Sequence, residues 1–444
     1  MTRSAAPRYQ PHVAATMDAI PQLAQLSEAR RLAMRALAHV LPFRVSPYVV
    51  DELIDWSDIP ADPIFQLTFP QPGMLEPADL ARVSALVRNG ATPQQIRPVA
   101  DRIRLKLNPH PAGQLEHNVP RLDGEALPGL QHKYRETVLF FPGRGQTCHS
   151  YCTYCFRWAQ FVGMEGLKFA QRETETFHEY LRRHTEVTDV LFTGGDPLIM
   201  RAWHLRAYIE PLLKPGFEHL RHIRIGTKAL AFWPHKFVTD PDADTLLRLF
   251  ERVVASGRHL ALMAHFTHPR ELETAVVRRA IERIRGTGAV IRTQAPLVRH
   301  INDSANTWAE LWRAQVALGC IPYYMFVERD TGPKGYFEVP LATAHDIFRR
   351  AFRQVSGLAR TVRGPSMSAM PGKVVVLGTQ EIHDEKVFVL SFLRGRNRDW
   401  VGRPFFAKYD PGATWLDQLR PAFGARRFFF EEDPPERRHV VAWE

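Results

Sequence analysis

The sequence predicts an α/β fold: a partial barrel of six βα units, preceded by a helical region and followed by a segment that contains strands. Two patterns carry this. From about residue 135 to residue 355, short apolar runs alternate with amphipathic segments, and such alternation implies parallel strands covered by helices. Outside that stretch the pattern changes, to helical spacing between prolines on one side and to paired apolar runs on the other. At 444 residues the chain can bury a large core. It carries no internal repeat beyond the βα rhythm and no low-complexity tract.

Residues 1–130 read as the helical N-terminal region. Apolar and Ala positions from Ser27 to Leu41 recur at helical spacing, and Ala78–Val87 gives a second helix. The Pro/Gly/Asn stretch from Asn108 to Gly129 reads as a surface connector. Residues 131–360 form the barrel, with strands expected at Val138–Phe141, Val187–Phe192, His222–Thr227, Leu260–Phe266, Val290–Ala295 and Ile321–Val327. Amphipathic helices are expected at Asp244–Ala255, Glu271–Ile284, Trp308–Leu318 and Ala342–Val355. Six units leave a barrel open, and ligands of such folds gather at the C-terminal strand ends. In residues 361–444, Val374–Leu377 and Lys386–Leu390 read as two strands around a polar turn, before a tail with Arg426-Arg427-Phe428-Phe429-Phe430.

Composition narrows the function class. The net charge of +11 arises from 58 basic residues scattered among 47 acidic ones. There is no basic block and no nucleic-acid motif, so anionic small ligands explain the excess at least as well as nucleic acid. Four cysteines, three of them clustered, do not make a disulfide framework, and a reducing, cytoplasmic compartment is expected. Met1–Arg8 lacks an apolar leader core and no apolar run reaches membrane-spanning length, so no membrane partner is expected.

The chemistry is concentrated in Thr147-Cys-His-Ser-Tyr-Cys-Thr-Tyr-Cys-Phe-Arg157, where Cys148, Cys152 and Cys155 are spaced C-x3-C-x2-C just after the first expected barrel strand. Three thiolates on one loop can hold three irons of a 4Fe-4S cluster and leave the fourth open to a small molecule, whereas clusters that only carry electrons usually have four cysteines. The open iron suits S-adenosylmethionine, chelated through its amino and carboxylate groups. A zinc site or buried thiols are the alternatives. Zinc needs a fourth ligand, and His149 lies awkwardly between the cysteines. After the second strand, Thr193-Gly194-Gly195-Asp196-Pro197 is either an ordinary βα turn or a cradle for the methionyl amine.

Together these two motifs resemble radical SAM enzymes, and the chain is similar more narrowly to the lysine 2,3-aminomutase family. The resemblance runs through Ser46-Pro-Tyr48, Ala61-Asp-Pro-Ile64, Leu127-Pro-Gly-Leu-Gln-His-Lys-Tyr134, Arg224-Ile-Gly-Thr227, His265-Phe-Thr-His-Pro269, Asn302-Asp303, Pro322-Tyr-Tyr324 and the Lys386 strand. It implies an isomerase with a radical SAM barrel that moves an α-amino group to the β-carbon of an amino acid. The implied cofactors are a 4Fe-4S cluster, S-adenosylmethionine and pyridoxal 5'-phosphate. An electron donor such as flavodoxin or ferredoxin is implied as partner. Gly194, Gly195, Asp196, Thr227, His265 and Gln294 match positions around S-adenosylmethionine, Lys133 and Tyr134 match phosphate-side positions, and Lys373 in Met370-Pro-Gly-Lys373 matches the lysine that carries pyridoxal phosphate.

Several departures stand out. The segment before Lys373 lacks the family's glycine run, and Thr137 stands where a phosphate-side arginine is expected. Arg157 matches the arginine that grips the substrate α-carboxylate, a task suited to guanidinium. Arg329 and Arg363 fall where lysine-specific members have aspartates for the substrate ammonium. Two cations there repel a cation and attract an anion, so free lysine is not the expected substrate. Pairing of Arg329 with Glu328 or Asp330, or a one-residue slip that puts Asp330 in the acidic place, is the competing reading. Ser304 follows Asn302-Asp303 and no cysteine lies beyond Cys320; any homo-oligomer therefore lacks the family's structural zinc, and Cys320 reads as a core thiol. A radical SAM enzyme without pyridoxal phosphate and a non-catalytic electron-transfer protein are the rival functions.

Overall fold

The computed structural model describes residues 8–111, 117–164, 169–170 and 174–431. Met1–Pro7, part of the Asn108–Gly129 connector and the last residues of the tail lie outside the described residues.

One 11-stranded sheet organises the chain, with its strands side by side in sequence order. They are β1 (Leu130–Tyr134), β2 (Thr137–Phe140), β3 (Asp189–Phe192), β4 (His222–Thr227), β5 (His259–His265) and β6 (Val290–Leu297). Then follow β7 (Ile321–Val327), β8 (Arg363–Ser368), β9 (Gly372–Ile382), β10 (Glu385–Gly395) and β11 (Pro404–Lys408). Pairing is parallel from β2 through β8 and antiparallel at both ends. The expected six-unit βα rhythm is present, with helices Ala243–Ala255, Ala275–Gly286, Ala305–Ala317 and Leu341–Phe352 between strands.

The parallel set has one strand more than the sequence pattern suggested. β8 reads Arg-Gly-Pro-Ser-Met-Ser, a composition with little intrinsic strand preference. Its place beside β7 supplies what propensity does not: Tyr324 pairs with Arg363 and Phe326 with Ser366. The C-terminal hairpin is also longer than expected, because the polar residues of β9 and β10 continue the ladder beyond the apolar run to a His383-Asp384 turn. Both turn residues have positive φ, 49° and 60°, as the tight turn of a twisted hairpin requires.

Before the sheet lie helices Glu28–Val40, Pro77–Arg88 and Pro93–Lys106. The third escapes the apolar pattern because it is polar and contains Pro98. Its start is nonetheless written in the sequence: Thr92 and Gln95 cap each other and Pro93 takes the first position. This region holds the cysteine loop from outside. Tyr9 Oη donates to the His149 carbonyl at 2.9 Å, Tyr151 N–H to the Arg44 carbonyl at 2.8 Å and Thr153 N–H to the Leu67 carbonyl at 2.9 Å. Ser46 N–H donates to Ser150 Oγ at 2.9 Å, and Ser46 Oγ to the Phe232 carbonyl at 2.6 Å.

The first and last parts of the sheet meet although their strands are far apart in order, so the sheet curves into an open barrel. Side chains bridge the seam. Lys133 Nζ donates to the Ala369 carbonyl at 2.6 Å, Arg394 Nη2 to Thr137 Oγ1 at 2.9 Å and Arg396 Nη2 to Asn118 Oδ1 at 2.6 Å. One apolar core fills the barrel and continues into the N-terminal helices. A second lies under the C-terminal hairpin, where Phe392, Trp400, Trp415, Phe428 and Phe430 pack together.

Candidate active site

The loop after β2 carries Cys148, Cys152 and Cys155, all free and partly buried. Burial pushes Cys148 well above the ordinary thiol range, Cys152 up to about 12 and Cys155 up to about 11. Without metal these are thiols, and binding iron means exchanging protons for metal. Among the described residues no three His, Cys, Asp or Glu side chains converge as a single metal ion would need. A cluster places each thiolate on its own iron, and three thiolates on one loop match three irons of a cube.

The Gly194-Gly195-Asp196 turn presses against this loop. Gly194 has a φ of +143°, and a Cβ on Gly195 would lie 2.5 Å from the Thr147 backbone. Asp196 is buried and engaged: its carboxylate accepts from Leu198 N–H at 2.9 Å, Lys228 N–H at 2.8 Å and Thr227 Oγ1 at 2.8 Å. Burial raises its pKa to about 6 against those hydrogen bonds. Asp196 and Thr227 thus brace two strand ends together, and their side chains face each other rather than an open cavity. His265 ends β5 and sits in register with Gln294, which lies within β6 three residues before its end. Burial pushes the His265 imidazole down to about 3, so it is neutral near pH 7.

Arg157 is buried beside the cysteines, with its guanidinium 4.1 Å from the Phe141 ring and Nη1 without a hydrogen-bond partner. Burial lowers it to about 9 and nearby Arg329 adds to that fall. Trp158 Nε1 donates to Thr331 Oγ1 at 3.0 Å and draws the Arg329 loop toward the cysteine loop. Arg329 lies 5.4 Å from the Phe156 ring, and its Nε is buried and unpartnered. No ion pair within 4 Å joins it to Glu328 or Asp330 among the described residues, although both carboxyls attract it and oppose the fall in its pKa that burial causes. Glu328 is itself buried, which pushes its carboxyl well up toward the neutral form.

Lys373 stands near the start of β9, its Nζ 3.8 Å from the centre of the Tyr324 ring and 4.8 Å from that of Phe326. Burial drives its pKa well below the usual lysine range, and Arg394, Arg224 and Arg363 push the same way. Arg363 covers the Tyr323 and Tyr324 rings at 4.4 and 4.5 Å. Lys133 is depressed by burial and then by Arg396, Arg329, Lys373 and Arg394. Tyr134 lies under Arg394 at 4.2 Å, and burial raises its phenol to about 12. So Arg157 and Arg329 form one side of the region, Arg363 and Lys373 the other, and Lys133 touches both electrostatically. A buried amine beside an aromatic face suits a lysine that forms a covalent bond with a carbonyl.

Sequence reasoning missed Arg394, Arg396 and the buried Lys228–Glu271 pair. The last has Nζ 2.6 Å from Oε1 and a hydrogen bond to Thr267 Oγ1 at 3.0 Å. Lys228 had a signal, as it directly follows a strand end. Arg394 and Arg396 had none, because only the closing of the seam brings them to Lys133.

No protein-family model matches the chain. Curated relatives do. A protein of Aquifex aeolicus (strain VF5), provisionally named L-lysine 2,3-aminomutase, is 36% identical over 290 residues, 65% of this chain and 74% of its own. The L-lysine 2,3-aminomutase of Escherichia coli (strain K12) is 30% identical over 244 residues, 54% of this chain and 67% of its own. A solved radical SAM methyltransferase from Sphaerobacter thermophilus aligns over 66% of this chain and 94% of its own at 15% identity, with a TM-score of 0.37, too distant to carry an argument. Among the described residues no helix is long and apolar enough to cross a membrane.

Proposed function

The chain belongs to the lysine 2,3-aminomutase family of radical SAM enzymes, and from that premise we propose that it is an amino-acid 2,3-aminomutase whose substrate carries an anionic side chain. The family uses a 4Fe-4S cluster, S-adenosylmethionine and pyridoxal phosphate. The observation that carries the substrate reading is a set of three guanidinium groups, the buried Arg157 and the partly buried Arg329 and Arg363, none of which has a carboxylate ion-pair partner among the described residues. A buried charge without a partner is costly and calls for a ligand of opposite sign.

In this reading Cys148, Cys152 and Cys155 hold the cluster. The Gly194–Gly195 backbone with His265 and Gln294 lines the S-adenosylmethionine side, while Asp196 and Thr227 fix the strand ends there. Arg157 takes the α-carboxylate, and Arg329 and Arg363 hold the distal anion. Lys373, kept neutral by burial and neighbouring cations, carries pyridoxal phosphate between turnovers, with Lys133 and Tyr134 near its phosphate. When bound, cluster and S-adenosylmethionine supply a hydrogen-abstracting radical, and pyridoxal phosphate supplies the carbonyl that carries the migrating amine. The Trp158–Thr331 contact and the Phe141 and Phe156 rings keep water from Arg157.

The absorption spectrum of anaerobically reconstituted protein tests this. A broad cluster band with a separate band from lysine-bound cofactor is expected. A cluster band alone in well-folded protein supplied with pyridoxal phosphate would favour a radical SAM enzyme of another reaction type, and neither band would remove the reading.

A further inference from the structure

We propose that Arg394 is the phosphate anchor of the site around Lys373, gripping the dianionic end of the pyridoxal cofactor from the strand opposite the lysine. This rests on the reading of Lys373 as the cofactor lysine.

Three observations converge on Arg394. First, β9 and β10 pair so that Lys373 stands directly across from Arg394, and cross-strand partners project to the same face of a sheet. Gly372 makes this approach possible, since a Cβ there would overlap the Arg394 carbonyl. Second, the guanidinium is aimed by a relay. Arg394 Nη2 donates to Thr137 Oγ1, Thr137 Oγ1 donates to Asp189 Oδ2 at 3.0 Å, and Asp189 is held by Arg224 through contacts of 2.7 and 2.5 Å. The Tyr134 ring supports its face.

Third, the positive charge gathered here is poorly matched. Lys133, Lys373, Arg394 and Arg396 influence one another, and Arg396 Nη1 is buried without a partner. The acid nearest Arg394 is the half-exposed Glu136, 4.0 Å away at the outer limit of an ion pair and shared with Arg398. Asp189 is occupied by Arg224. A cleft of about 300 Å3 bordered by Tyr134, Arg135, Glu136, Arg394 and Arg398 leaves room beside the guanidinium on the side away from Lys373, which does not line it; there three cations outnumber one carboxylate. A planar guanidinium fixed on one edge and free on the other suits two oxygens of a phosphate.

The test compares pyridoxal phosphate with pyridoxal on cluster-reconstituted protein, reading bound cofactor by absorbance and its attachment by borohydride reduction and peptide mapping. Arg394→Met should weaken pyridoxal phosphate about ten- to a hundredfold, the range for hydrogen bonds to charged groups, and leave pyridoxal unchanged. Arg394→Lys should keep part of the preference, and Thr137→Val, which frees the guanidinium, should lose a smaller part. Equal loss of both ligands would make Arg394 a brace of the seam and overturn the proposal, as would no loss of either. If wild-type protein attaches neither ligand at Lys373, the reading of that lysine fails, and the proposal fails with it. If Arg394→Met does not fold, the ligand ratio in Arg394→Lys and Thr137→Val decides: an unchanged ratio in both overturns the proposal.

Discussion

Around the Gly194–Asp196 turn, most buried polar groups bind other parts of the protein, Gln146 Oε1 and His149 Nδ1 excepted; around Lys373, Arg329 and Arg157, guanidinium groups lack carboxylate partners. Asp196 accepts hydrogen bonds from three residues. Asn302 joins three backbone groups, donating to the Thr267 and Pro296 carbonyls and accepting from Val298 N–H. Those groups hold the scaffold, and what remains for a ligand on that side is backbone, the cysteines and the His265–Gln294 pair. On the other side Arg157 Nη1, Arg329 Nε and Arg396 Nη1 are buried and unpartnered. Saturation marks the architecture, and deficit marks the places a ligand has to fill.

The largest effect that probes this contrast is loss of the cluster. Cys148→Ala, Cys152→Ala and Cys155→Ala should each abolish reductive cleavage of S-adenosylmethionine, while Cys320→Ala, at a core thiol, should retain it. Loss of cleavage in a folded Cys320→Ala protein would redraw the ligand set. Next is Lys373: borohydride should fix the cofactor on its peptide, and labelling of another lysine would move the centre of the site. Arg157→Lys should lower kcat/KM on the order of a hundredfold through loss of a bidentate carboxylate grip; an unchanged value would detach Arg157 from the substrate.

Stability should separate the two regions in opposite directions. Asn302→Ala leaves a buried N–H and two carbonyls unsatisfied and should cost about 2–3 kcal/mol in unfolding. Arg329→Met removes a partly buried charge without an ion-pair partner and should leave Tm unchanged or raised. The pH dependence follows from Lys373 and Lys133, both depressed by burial and cationic neighbours. Between their folded pKa and about pH 8, below the range in which unfolded thiols ionise, the unfolded chain binds more protons, so cofactor-free protein should gain stability as pH rises; above it the raised cysteine thiols act in the opposite direction. Cofactor loading should fall as pH drops through the depressed value. A flat unfolding profile from neutral pH to about pH 8 would argue that both lysines are charged in the fold.

Much of the scaffold was legible because its signals are local. The cysteine spacing, the Gly-Gly-Asp-Pro turn and the βα rhythm are each written within a few residues. β8 was not legible, since Gly364, Pro365 and two serines acquire strand geometry only from β7 beside them. The Pro93–Lys106 helix hid behind Pro98, although its Thr92–Gln95 cap was readable. Asp196 and Thr227 were expected on the S-adenosylmethionine side, but that they bind each other depends on β3 and β4 lying side by side. Arg394 meets Thr137 over a separation of 257 residues, and no short-range pattern announces such a meeting.

The central claim is that this region receives an anion where lysine-specific relatives receive a cation. Its most direct test is hydrogen exchange from S-adenosylmethionine deuterated at the 5′ position into a panel of amino acids, read by mass spectrometry. A matched charge in a partly desolvated pocket favours one substrate by about a hundredfold or more. Glutamate, or another amino acid ending in an anion, should therefore take up label faster than lysine, and Arg329→Asp with Arg363→Asp should shift the preference toward cationic side chains. If lysine is the fastest substrate of the wild-type enzyme, Arg329 and Arg363 do not face the substrate side chain and the claim is wrong.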